Sequence, residues 1–161
     1  MNAFTVRPEH AQQAMRRLMG LTDVRHVVVV DAIGLCLAHV GHEPVSNRLL
    51  SDWTVVARAA FSSCDQMGKR SGIGPCQEAL NSYADGGILM RTVVGGMLLV
   101  VHYGHRCPVE ELRSIAKSVA QSLPTAVEIK PTPGVETTAS MPVEPPRHQR
   151  SVSTIHEAEV L

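Results

Sequence analysis

Apolar positions along this chain switch between two periods. From Glu9 to Met19, and again from Arg48 to Met67, they recur at helical spacing. Between these stretches Val27-Val28-Val29-Val30 and Leu35-Cys36-Leu37-Ala38 are apolar runs of strand length, joined by Asp31-Ala32-Ile33-Gly34. The junction predicts a β-hairpin, because Gly34 can take the positive φ of a short connection while Asp31 accepts backbone hydrogen bonds across it. One carboxylate and one glycine are no catalytic apparatus, so both read as turn formers.

The long helix places Leu49, Trp53, Val56, Ala57, Ala60, Cys64 and Met67 on one face, with Leu50 and Phe61 at its margin. At about 100° per residue these fill an arc of roughly 140°, which predicts a core-facing side. Ser46 or Asn47 can cap its start, and Gly68 suits its end. The opposite side carries Arg48, Asp52, Val55, Arg58, Ala59, Ser62 and Gln66. Val55 and Ala59, an apolar pair one turn apart on an otherwise polar face, mark that side as a candidate partner or dimer surface.

Three further β segments are expected at Cys76–Ala84, Ile88–Val94 and Met97–His102, separated by Asp85-Gly86-Gly87 and by Gly95-Gly96. A final helix begins at Pro108, has Glu110 and Glu111 near the positive end of its dipole, and aligns Val109, Leu112, Ile115, Ala116, Val119 and Leu123. The order helix, two strands, helix, three strands, helix predicts an antiparallel sheet in an α+β layer fold. After Pro124 the composition changes to Pro, Ser, Thr, Val and Glu, which sets the expected domain at 1–124 and a proline-rich, disordered tail at 125–161. Within it Arg147-His148-Gln149-Arg150-Ser151-Val152-Ser153 places basic residues before serines, in the manner of a phosphorylation site or peptide ligand, although such clusters are usually only solvated.

With 161 residues there is room for one domain with a real core. A formal net charge of +0 and 3% aromatic residues argue against a nucleic-acid partner, which would need a basic surface or stacking rings. No apolar run is long enough to span a bilayer and the start of the chain has no signal pattern, so a cytoplasmic protein without membrane insertion is expected. Cys36, Cys64, Cys76 and Cys107 lack Cys-x-x-Cys spacing and are expected as reduced thiols.

Catalytic patterns are missing. Gly68-Lys69-Arg70-Ser71-Gly72-Ile73-Gly74 fits neither phosphate-binding glycine pattern and follows a helix instead of preceding one. There is no Gly-x-Ser-x-Gly elbow, and Cys107 merely sits beside a helix start that could lower its pKa. No enzyme activity and no cofactor are expected.

Asp31-x-x-Gly34-Leu35-x-Leu37-Ala38, the long following helix, the glycine-punctuated meander and the closing helix resemble the Roadblock domain of dynein roadblock light chains and bacterial MglB-type proteins. The resemblance covers about Glu9 to Leu123 and rests on element order and the hairpin pattern. It implies a five-stranded antiparallel sheet in the order 2-1-5-4-3, with one long helix on one face and two helices on the other, as in profilin- and longin-like folds. It further implies homodimerisation through the third strand and the long helix, and binding of a Ras-like small GTPase or motor partner. Under that strand order His26, His39 and His102 could converge, which raises a transition metal as a rival ligand, although neighbouring strand positions face opposite ways. The expected function is a non-catalytic homodimeric regulator of a small GTPase. The alternatives are a signalling scaffold without a GTPase partner, or a metal- or ligand-sensing domain.

Overall fold

The structure is a computed structural model and describes residues 4–6, 8–123 and 127–129. In chain order it contains α1 (Pro8–Met19), β1 (Val24–Val30), β2 (Cys36–Gly41), α2 (Asn47–Arg70), β3 (Glu78–Tyr83), β4 (Gly86–Thr92), β5 (Leu98–Gly104) and α3 (Val109–Ser122). The five strands form one antiparallel sheet in the order β2-β1-β5-β4-β3, the expected 2-1-5-4-3. A short pair, Phe4–Val6 with Val127–Ile129, lies outside this sheet. Its second strand falls in the segment read as tail, and residues 130–161, with the Arg147–Ser153 motif, lie outside the described residues.

The four-valine run is explained by its place. β1 is an inner strand covered on both faces, so alternation between apolar and polar residues disappears. Val27 and Val29 join the larger core with Met15 and Leu18 of α1 and Leu112, Ala116 and Val119 of α3. Val28 and Val30 point the other way, into a smaller core with Ala57 and Phe61 of α2 and Met90, Leu98 and Val100 of the sheet. One helix therefore covers one face and two cover the other.

The hairpin turn follows its sequence signals. Gly34 has φ 96°, and Asp31 Oδ1 accepts hydrogen bonds from the backbone N–H groups of Ile33 at 2.9 Å and Leu35 at 2.8 Å. Asp31→Ala should leave both amides to water and cost about 1 kcal/mol, read as a lower urea midpoint with an unchanged slope. A change in slope instead would mean that the turn helps hold the whole sheet edge.

Three local expectations are corrected. The inward face of α2 is turned relative to the apolar arc. Its buried residues are Thr54, Ala57 and Phe61, with Leu50 packed beside them, whereas Leu49, Val56 and Met67 are 44%, 67% and 66% exposed. The arc merged two neighbouring stripes, of which the sheet covers only one. The helix also continues past Gly68 to Arg70, and a Cβ at residue 68 would stand 2.5 Å from the Gly74 carbonyl oxygen. That glycine permits a close loop contact and does not end the helix. Lastly, Gly86 and Gly87 belong to β4 and not to the turn, because Tyr103 of β5 occupies the space their side chains would need.

Candidate interaction surface

Ser46 caps α2, its hydroxyl accepting the Leu49 N–H at 3.3 Å, and the helix then runs for 24 residues across one face of the sheet. Two of its sides remain uncovered among the described residues. The outer side carries the residues singled out in the sequence: Arg48, Asp52, Val55, Ala59, Ser62 and Gln66 are all exposed, and Arg58 is half-buried. They share one face, but Arg58 is not a free cation there. Its Nε donates to the Ala32 carbonyl oxygen at 3.2 Å, tying α2 to the β1–β2 turn. Nearby, Ile33, Leu35 and Val55 expose apolar surface around the same turn.

The second uncovered side was missed by the sequence reading, which took it as core. Leu49, Val56 and Met67 form an exposed stripe, with Trp53 and Ala60 half-buried along it. A groove of about 170 Å³ separates this stripe from the sheet and is lined by Trp53, Val56, Ala60, Tyr83, Ile88 and Met90. Beyond the groove lies β3, an edge strand that among the described residues pairs only with β4. Glu78 at its start is held by Arg91 of β4 and by Arg113 of α3, the latter at 2.6 Å, so the edge is fixed in place. Apolar stripe, groove and open edge make one continuous surface; exposed apolar area of this kind marks an interaction site.

The histidines do converge on the α2 face. The ladder sets His26 opposite His102 and Val28 opposite His39, and residues directly opposite one another share a face. His26 Nδ1 lies 3.3 Å from His39 Nε2, while His102 stands edge-on to His26 and packs on Trp53 with ring centres 4.6 Å apart. Burial holds all three imidazoles below their ordinary pKa, and His102, the deepest, is pushed down to about 4. Among the described residues no three His, Cys, Asp or Glu side chains are grouped about one point. The Cys107 thiol, although it sits beside the α3 start, is buried, and burial pushes its pKa up.

The architecture matches solved structures of one fold. A Roadblock/LC7 domain from Streptomyces avermitilis superposes with a TM-score of 0.65 at 16% identity, over 70% of this chain and 93% of that one. The gliding protein MglB from Thermus thermophilus gives 0.67 at 18%, over 74% and 89%. MglB from Myxococcus xanthus gives 0.64 at 17%, over 71% and 92%. The fold is therefore that of the Roadblock/LC7 domain, as the hairpin and element order suggested. No protein-family model matches the chain, and no curated protein sequence matches it. Among the described residues no helix is long and apolar enough to cross a membrane.

Proposed function

We propose that this chain is a non-catalytic, homodimeric regulator of a Ras-like small GTPase in the cytoplasm. The observation that carries the reading is the continuous surface of the α2 stripe, the groove and the β3 edge. Two copies related by a two-fold axis can cover each other's stripe and pair their β3 edges, which removes apolar area from water and closes an open sheet at the same time. The fold shared with MglB, a gliding protein by its description, supports a regulatory role.

In such a dimer the outer faces of the two α2 helices lie side by side. Arg48, Asp52, Val55, Arg58, Ala59, Ser62 and Gln66 from both copies then form a composite platform that one GTPase can straddle. Regulation works by holding the partner's switch loops in one arrangement, which requires tighter binding to one nucleotide state. We take 1–124 as the folded unit and 125–161 as an appended tail, of which Val127–Ile129 pairs with Phe4–Val6.

A pull-down from native cytoplasm identifies the GTPase; titration of that GTPase loaded with GDP or with a non-hydrolysable GTP analogue then tests the reading. Preference for the GTP form is expected, and Arg58→Glu should weaken binding about tenfold or more without unfolding the domain. Equal affinity for both states would replace the regulator with a scaffold. Removal of 125–161 should move the thermal midpoint by only a few degrees, since the ladder it gives up among the described residues is a three-residue strand pair. A larger loss would place more of the tail on the domain.

A further inference from the structure

We propose that the imidazoles of His26, His39 and His102, packed against Trp53, form a proton-operated latch: neutral, they hold the first turns of α2 on the sheet, and acidification releases those turns while the rest of the domain stays folded. The buried residues of α2, Thr54, Ala57 and Phe61, lie in its middle. Before Thr54, among the described residues, only Leu50 packs beside the core on that face, so the first turns depend on Leu50 and on Trp53. Trp53 rests in turn on histidines, its ring centre 4.6 Å from that of His102 and 5.1 Å from that of His26.

The cluster suits neutral rings. His26 Nδ1 and His39 Nε2 stand 3.3 Å apart, in a hydrogen bond where one nitrogen donates and the other must offer its lone pair. With both rings charged there is no acceptor, and two cations face each other. His102 stands edge-on to His26 with ring centres 6.2 Å apart, so a charge on one of these rings is felt by the other. Gly41 permits the approach: opposite His26 in the ladder, it leaves to the His26 and His39 rings the space a Cβ would take.

The surrounding charges do not reverse this. Glu43 favours the charged form of His26, whereas burial, His39, His42 and Arg25 oppose it. Arg16 of α1 shares a cleft with His39. Asp52 and Asp85 line the clefts beside His102, with Tyr83 and Tyr103, but both carboxylates are exposed and screened by water. Burial and the other two rings oppose a charge on His102. All three imidazoles therefore take up protons less readily in the closed cluster than in water. The latch holds fully above about pH 6.5, the ordinary imidazole value, and its hold is lost as pH falls toward about 4, the value of His102. Between pH 7 and pH 5 His102 alone should favour release by at least about tenfold.

Trp53 also walls the groove beside the α2 stripe, so release unmakes that groove. It is the one tryptophan of the chain, and its fluorescence reports on the latch directly. In a titration of the full chain from about pH 7.5 to about pH 4.5, its emission should shift to the red and become more open to acrylamide quenching, while far-UV circular dichroism keeps most of its signal. His102→Leu keeps an apolar contact for Trp53 and cannot titrate; it should move the transition down by at least about one pH unit. His39→Gln keeps a hydrogen-bond partner for His26 and should make the transition shallower. Unchanged emission across this range would overturn the proposal, as would the same transition in both variants, which would assign it to carboxylates. Loss of far-UV signal in step with the fluorescence would overturn it too, by showing the whole domain unfolding. A midpoint that moves with protein concentration would do the same, by assigning the change to separation of copies.

Discussion

Leu99→Ala is expected to lower the thermal midpoint by on the order of 10 °C, through a loss of about 3 kcal/mol. Leu99 is fully buried in β5, opposite Val29 of β1 and Arg91 of β4, and belongs to the core that α1 and α3 cover. Truncating its isobutyl group to a methyl removes buried apolar area and leaves a void, since neighbours held by ladder hydrogen bonds on both sides cannot collapse into it. Scanning calorimetry at fixed protein concentration measures the shift, the concentration being held because the proposed dimerisation would also move the midpoint. A loss of only a degree or two would mean that this layer is loosely packed and that the sheet is held from its α2 face.

The same physics explains what the sequence made legible. A run such as Val27 to Val30 has one comfortable place, an inner strand with apolar layers on both sides, and the cores on either face of β1 satisfy it residue by residue. Asp31 and Gly34 were equally readable because a turn's chemistry is local. The orientation of α2 was not. Periodicity reports that Leu49, Val56 and Met67 are apolar, but a side facing the sheet and a side facing a partner look identical in one sequence. Gly86 and Gly87 failed for a related reason: the residue that excludes a side chain there, Tyr103, is distant in sequence and reaches them only through the ladder. The histidine cluster depended wholly on strand order, which came from the resemblance. The tie of Arg58 to Ala32 had no sequence signal at all.

Val56→Glu is expected to convert the proposed dimer to monomers at tens of micromolar, while Val55→Glu leaves it intact. The two residues are neighbours in sequence and both are exposed, at 67% and 56%, yet they point about 100° apart around the helix. Val56 lies on the stripe beside the groove and the β3 edge; Val55 faces the β1–β2 turn, where a Cβ on Gly34 would stand 3.8 Å from its methyl group. A two-fold axis repeats each substitution twice in one interface, so a buried carboxylate at Val56 is desolvated in both copies and meets no cation on the stripe formed by Leu49, Trp53, Ala60 and Met67. The dimer dissociation constant should rise by at least about a hundredfold, enough to be seen by sedimentation velocity, with far-UV circular dichroism unchanged. Val55→Glu changes only the outer platform and should weaken the GTPase instead. The reverse outcome, dissociation by Val55→Glu alone, would assign the dimer to the outer face and leave the stripe, groove and β3 edge to the partner. A wild-type monomer at these concentrations would remove the homodimer from the reading altogether.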